Sequence, residues 1–192
     1  MARTWDILII GGASGSGKTS ISRPLSRLYG VDLVRVDDFQ ILLETLTPET
    51  LPAINYWRTH PNWRDEESID MTISKMMDTG LIFMPGLSAI IKDHLLENIP
   101  MILEGDFIHP ELSTSFNNSR VKTIFIHEFS QEQISQNYFI REGKHQAHRA
   151  SISYAYGIWL KEICKKHCIP VIESRPWDSL VERVIACLSE DD

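Results

Sequence analysis

The segment from Asp6 to Ser20 constrains this chain more than any other stretch of it. A short apolar run, Asp6–Ile10, ends in Gly11, and the chain continues as Gly12-Ala13-Ser14-Gly15-Ser16-Gly17-Lys18-Thr19-Ser20 before a helical pattern begins. Glycines at Gly12, Gly15 and Gly17 let the backbone curl so that several N–H groups point at one anion. The N-terminus of the following helix adds positive potential at the same spot. Lys18 is a point charge placed to reach the terminal phosphates of a nucleotide, and the Thr19 hydroxyl can ligate Mg²⁺. A flexible Gly/Ser turn before a helix is the plainer reading, but the strand–loop–helix order favours a nucleotide-phosphate loop over Gly12–Ser20.

The rest of the chain alternates short apolar runs with longer helical stretches. The runs that read as strands are Asp6–Ile10, Leu33–Val36, Met101–Leu103, Val121–Ile126 and Pro170–Ile172. Alternation of this kind predicts an α/β fold with a parallel sheet and helices on both faces. Helical stripes are expected at Ile21, Leu25 and Leu28, with Pro24 near the first turn, and at Ile69, Ile73, Met76 and Met77. Ile90, Ile91, Leu95 and Leu96 form another, and a last helix over about Asp178–Leu188 turns Leu180, Val181, Val184, Ile185 and Leu188 inward. No repeat or linker divides the 192 residues, a length that suits one domain. The excursion from Phe39 to Pro100 is the largest departure from a minimal alternation and reads as a substrate-side insertion around residues 44–98.

Carboxylates follow two of the strands. Asp37 and Asp38 end the second strand, on the side of the sheet that faces the phosphate loop. A carboxylate there can orient an acceptor hydroxyl in line with a γ-phosphorus and take its proton late; alternatively the pair caps the next helix. Glu104 directly follows Met-Ile-Leu and precedes Gly105, where such folds hold Mg²⁺ or its water shell, with Asp106 the second candidate. A surface turn would use the same residues.

Further along, Arg141, His145, His148 and Arg149 fall at helical spacing and would form one cationic face. That face is either a lid over the nucleotide around residues 141–150 or a solvated helix surface. Tyr56, Trp57, Arg58, His60, Trp63 and Arg64 crowd together in the insertion. They either stack and pair with a substrate or pack on the sheet. Cys164, Cys168 and Cys187 are too few for a disulfide framework, and packing is favoured over zinc at Cys164-x-x-His167-Cys168.

These features in this order resemble the small-molecule kinases of the P-loop superfamily. Asp37-Asp38-Phe39 followed by Glu104-Gly105 looks like the uridine kinase and nicotinamide riboside kinase group. Glu104-Gly105 with Ile108-His109-Pro110, then Arg141 to Arg149, Tyr154 and Ile169–Ile172, is similar to the 2-phosphoglycerate kinase and zeta-toxin-like kinases. The resemblance implies a three-layer P-loop NTPase fold with a parallel five-stranded sheet and a helical lid, and ATP and Mg²⁺ as cofactors. It implies Asp37 as the catalytic aspartate, Glu104 as the metal- or substrate-side glutamate, and Arg175 near the adenine ring. Lys18, Arg141 and Arg149 would serve transfer itself. Asp38, Tyr56, Trp57, Arg58, Trp63 and Asp106 are the weaker substrate candidates.

A formal net charge of −7 argues against broad nucleic-acid binding, and no segment reads as a signal peptide or membrane span. The expectation is a cytoplasmic monomer or homodimer acting on a small molecule. The leading function is ATP- and Mg²⁺-dependent phosphorylation of a hydroxyl on a metabolite, nucleoside-like or a phosphorylated acid or sugar. The alternative is a P-loop ATPase or nucleotide-dependent switch working through a protein partner; the Asn-Lys-x-Asp guanine motif of GTPases is absent.

Overall fold

The computed structural model describes residues 3–47 and 52–189. Residues 1–2 of the amino-terminal segment and 48–51 of the inserted region lie outside the described residues. Within them, β1 (Ile7–Gly11), β2 (Asp32–Arg35), β3 (Met101–Gly105), β4 (Val121–His127) and β5 (Val171–Glu173) form one parallel sheet. Its order is β2-β3-β1-β4-β5, which puts β1 in the centre with Gly11 opposite both Gly105 and Phe125. All five expected runs are strands. Val36, expected to end β2, opens the next helix instead: pairing with β3 stops at Arg35 opposite Glu104, and Val36 packs over Gly105.

Side-chain alternation along the strands divides the interior into two cores. Ile7, Ile9, Met101 and Leu103 face one of them, with α3 (Pro52–Thr59), α5 (Ile69–Glu97) and α8 (Ala147–Lys166). Leu8, Ile10, Ile102, Ile124 and Ile126 face the other, against α1 (Lys18–Tyr29) and α9 (Leu180–Ser189). Helix, sheet and helix therefore make three layers, and β1 and β3 are buried on both sides.

Ile21 and Leu25 of α1 are buried, but Leu28 is exposed; Tyr29 takes its place, its ring edge-on to Trp5 at 5.2 Å. Pro24 falls in the middle of α1 rather than its first turn, on the exposed side. Its missing N–H leaves the Ser20 carbonyl without the usual helical donor. The two stripes expected between Ile69 and Leu96 belong to a single helix of 29 residues, α5. Ser68 caps its start, accepting from the Met71 N–H at 3.3 Å. Its last turn carries Leu96 into solvent while Leu95 packs inward.

Between β2 and β3 the chain forms α2 (Val36–Leu46), α3, α4 (Trp63–Glu66) and α5; α6 (Glu111–Thr114) follows β3. Beyond β4, the expected continuous cationic helix is two helices. Gly143, at φ 71°, ends α7 (Gln131–Glu142) with its N–H on the Phe139 carbonyl at 2.8 Å, and α8 begins at Ala147. The left-handed conformation that glycine adopts freely breaks the helix here. The α7–α8 hairpin closes on its own small core of Ile134, Tyr138 and Ala150. Cys164 lies in the main core, its thiol pushed up to about 12 by burial, whereas Cys168 is exposed. No described helix is long and apolar enough to cross a membrane.

Candidate active site

The loop between β1 and α1 is shaped by backbone that only glycine adopts without strain. Gly15 and Gly17 sit at φ 77° and 99°. A β-carbon on Gly12 (φ 147°) would run into the Ile126 carbonyl oxygen, and one on Gly17 into the Trp177 ring. Asn137 of α7 donates to the Gly15 carbonyl at 2.9 Å, fastening the loop from the side. Ser16 is buried beneath it, its hydroxyl without a hydrogen-bond partner among the described residues. The Lys18 ammonium, also buried, donates to the Ala13 carbonyl (2.9 Å) and pairs with Asp106 Oδ1 at 2.5 Å. Burial alone would lower its pKa; Asp106, then Glu104 and Asp37, outweigh that and raise it.

At the second residue of α1, the Thr19 hydroxyl donates to Glu104, 3.1 Å from Oε1 and 3.2 Å from Oε2. Glu104 sits at the C-terminal end of β3 and is 3% exposed. Arg35, which sequence reasoning missed, ties the acids together. Its Nε lies 3.5 Å from Glu104, and its terminal nitrogens reach Asp37 at 3.1 Å and Asp38 at 3.4 Å. An arginine ending an apolar strand, in register with Glu104, was the available signal. The Asp37 carboxyl is raised above the ordinary aspartate value by desolvation in the cleft wall and by Asp106, while Lys18 and Arg35 pull it back. Its side chain still keeps 41% of its exposure, so the carboxylate is held at the lip rather than sealed away.

These groups open into one cleft of about 1000 Å³. Ser14, Gly15, Gly17, Lys18, Thr19 and Ser20 line one end of it, with Asp37, Glu104 and Asp106 beside them. Trp57, Arg58, Trp63, Arg141 and Arg149 also line it, joined by Arg64, Arg23 and Trp177. Three candidates lie elsewhere. Asp38 points outward, with 62% of its side chain exposed. Tyr56 is core, stacked on His60 at 4.4 Å, because the same helix gives its other face, with Trp57, to the cleft. Arg175 borders a second hollow of about 700 Å³ and pairs with buried Glu128 at 2.9 Å; Trp177 stands between the two spaces.

Another part of the cleft lining is aromatic and cationic. Trp57 donates its indole N–H to Thr79 at 3.2 Å and meets Trp63 edge-on at 4.9 Å. The Arg64 guanidinium lies over the Trp63 ring at 4.8 Å. Arg149 stacks over Tyr138 at 4.2 Å and donates through one terminal nitrogen to Glu142 (2.9 and 3.0 Å) and Gln146 (3.0 Å). Arg141 also grips Glu142, at 2.9 Å through Nε. Burial would raise the Glu142 pKa; Gln146, Arg141 and Arg149 overcome it and bring it down to about 2. The histidines of this segment do other work. His145 stacks on Phe139, and His148 donates to the Glu67 carbonyl at 2.7 Å, tying α8 to the stretch after α4.

Among the described residues no three His, Cys, Asp or Glu side chains converge as metal ligands, the cysteines included. A divalent cation would instead be held by Thr19 and Glu104 together with nucleotide phosphate oxygens, the donor set Mg²⁺ commonly takes. The half-buried Thr19 and buried Glu104, paired beside a glycine cradle, fit that set.

No protein-family model and no curated protein matches the chain, but solved structures do. A gluconokinase from Sinorhizobium meliloti 1021 superposes with a TM-score of 0.59 at 15% identity, over 98% of this chain and 94% of that one. A shikimate kinase from Acinetobacter baumannii, in complex with shikimate, gives 0.57 at 13% identity over 99% and 96%. A sugar kinase from Janibacter sp. HTCC2649 gives 0.57 at 16% identity over 95% and 93%. At such identities the likeness is one of fold, and the chain has the three-layer P-loop NTPase fold with a parallel five-stranded sheet.

Proposed function

We propose that this protein is a kinase that transfers the γ-phosphoryl group of ATP, with Mg²⁺, to a hydroxyl of a small metabolite. The observation that carries the reading is the convergence of Lys18, the Thr19–Glu104 pair and Asp37 on one cleft. The glycine cradle and the Lys18 ammonium bind the phosphates, with Asp106 surrendering Lys18 as they enter. Mg²⁺, held by Thr19 and Glu104, would supply neutralisation of the charge that develops on the phosphate oxygens. Thr19 and Glu104 orient that side of the site. Asp37 accepts a hydrogen bond from the acceptor hydroxyl, aims its oxygen along the transfer axis and takes its proton late. The raised Asp37 pKa makes it a better proton acceptor than an ordinary surface aspartate. Arg141 and Arg149, on the α7–α8 hairpin, act as a lid that excludes water, with Arg141 neutralising the transferring group and Arg149 turned to the acceptor. The order Asp37, Glu104, Arg141, Arg149, matching the uridine kinase and 2-phosphoglycerate kinase patterns, supports these roles, and Arg175 is assigned to the base end of the nucleotide.

The test is incubation with Mg·ATP and a panel of nucleosides, sugars, and carboxylated or phosphorylated polyols, followed by product mass analysis. Asp37→Asn should lower transfer at least about a thousandfold, roughly 4 kcal/mol of barrier, with ATP affinity within a few-fold of wild type. Normal turnover by that variant would remove Asp37 from the chemistry. Stimulated ATP hydrolysis without any phosphorylated metabolite would replace the reading with a partner-dependent ATPase.

A further inference from the structure

Charge in the cleft is divided unevenly. Seven cationic and four acidic side chains line it, in a chain whose net charge is −7. Three of the acids, Asp37, Glu104 and Asp106, stand at the phosphate-loop end, where they already pair with Lys18 and Arg35. Elsewhere the lining carries Arg58, Arg64, Arg141 and Arg149 together with Trp57 and Trp63. There Glu142 grips Arg141 and Arg149 from behind and is not itself part of the lining.

Arg64 and Arg149 each stand over an aromatic ring, as Arg141 also does on Tyr138. Arg149 is 9% exposed, clamped on the Tyr138 ring, and Glu142 and Gln146 hold one of its terminal nitrogens. Its Nε is buried without a hydrogen-bond partner among the described residues, a donor left over in a protein interior that normally leaves none. Arg64 is laid over Trp63. The His148 bond to the Glu67 carbonyl keeps α8 close to α4, so the two guanidiniums are not free to move apart with the hairpin. The strain shows in Arg64, whose pKa is lowered by burial and by Arg149, against the pull of Glu142 and Asp65. Two like charges kept in one cleft, one of them with a buried donor left unpartnered, are a site waiting for an anion.

We infer that the acceptor carries an anionic group, a carboxylate or a phosphate monoester, bound between Arg64 and Arg149, with its carbon frame against Trp57 and Trp63. Planar guanidiniums take either oxyanion through two parallel N–H bonds. This deepens the kinase reading and rests on it for the word acceptor; the anion site itself does not.

The experiment is anion titration followed by thermal unfolding, at constant ionic strength with chloride as the reference. The phosphate loop is first filled with Mg²⁺ and a non-hydrolysable ATP analogue, and inorganic phosphate or malonate is then added in separate arms. A saturable rise in Tm beyond chloride is expected in at least one arm, because a ligand of the folded state alone stabilises it by mass action. Phosphate alone would point to a phosphorylated acceptor and malonate alone to a carboxylic acid. Arg64→Gln should weaken that anion at least tenfold while leaving the analogue's own affinity within twofold. Arg64 is exposed, so the variant is expected to fold; Arg149→Gln, buried, is the second variant and should act in the same direction. No rise beyond chloride, or an undiminished rise in Arg64→Gln, overturns the inference. If the analogue binds and no anion does, the anion site is wrong and the kinase reading stands. If the analogue fails to bind, the kinase reading falls, and the titration repeated on Lys18→Met protein, with the phosphate loop disabled, decides the anion site alone.

Discussion

The two ends of the cleft are built differently. The phosphate-loop end is made from consecutive residues, Gly12 to Ser20, and from the termini of β2 and β3, with its ions already matched: Lys18 to Asp106, Arg35 to Asp37 and Glu104. The arginine-rich wall is assembled from α3, α4, α7 and α8, and its arginines lean on aromatic rings and on one carboxylate outside the lining. The first is a cradle fixed by strands buried on both faces, so small backbone changes there are felt at once. The second is a set of side chains whose substitution changes what is bound without disturbing the cradle.

The hardest blow to that contrast would be tolerance of a methyl group at Gly12. Its β-carbon would meet the Ile126 carbonyl, which is backbone of the neighbouring strand and cannot swing aside. The φ of 147° adds strain for any residue with a side chain. Gly12→Ala is therefore expected to weaken nucleotide binding at least about a hundredfold, roughly 2.7 kcal/mol, measured by titration of the Mg²⁺-bound analogue. Affinity within a few-fold of wild type would mean the cradle yields, and the contrast with Arg64→Gln would disappear.

The same contrast explains what was legible in the sequence. The phosphate loop could be read because its chemistry is local: glycines, lysine and threonine at fixed spacing between an apolar run and a helix. The strands were readable as short apolar runs, most plainly in β1 and β3, whose continuous Ile, Leu and Met mark strands buried on both faces. Arg35 escaped because its partners lie 2 and 69 residues away, and only the register of β2 on β3 brings it to Glu104. Tyr56 and Trp57 are neighbours in sequence and equally buried, yet only Trp57 also borders the cleft, a difference set by how α3 packs on α5. The expected lid helix ran Arg141 into Arg149 because spacing alone was counted; Gly143 was the stop signal.

A middle-sized effect tests the contact of β4 with α8, the helix that carries Arg149. His127, at the end of β4, is buried with its Nε2 unpartnered among the described residues, edge-on to Phe129 and pressed against Gly157 of α8. Burial, then Lys161, lowers its pKa to about 4, against the opposing pull of Glu128. The unfolded chain takes up the proton near the ordinary histidine value, before the folded protein can. Stability from the neutral ring is thus complete above about pH 6.5 and falls as pH drops toward 4, by up to about 1.4 kcal/mol per pH unit. His109, also lowered by burial, adds a slope of the same sign. The measurement is therefore a difference: urea unfolding of wild type and His127→Leu between pH 7 and 5. Parallel pH dependences in the two proteins would rule out His127 as a source of acid lability.

The smallest effect sharpens the comparison most finely, because it separates two adjacent carboxylates. Asp37 and Asp38 both pair with Arg35 and both lie in the first turn of α2, where the helix dipole favours a negative charge. They differ in where they point: Asp37 lines the cleft, whereas Asp38 is turned outward to solvent. An exposed ion pair contributes little, so Asp38→Asn should shift stability by no more than about 0.5 kcal/mol. Phosphoryl transfer and acceptor KM should stay within about twofold, since no interaction specific to the transition state is lost. Arg35 keeps Asp37 and Glu104 as partners in that variant, so the cleft wall retains its charge balance. A loss of transfer in Asp38→Asn as deep as in Asp37→Asn would mean that Arg35 presents the pair as a unit. Pairing Asp38→Asn with Arg35→Gln in a double-mutant cycle would then measure that coupling directly.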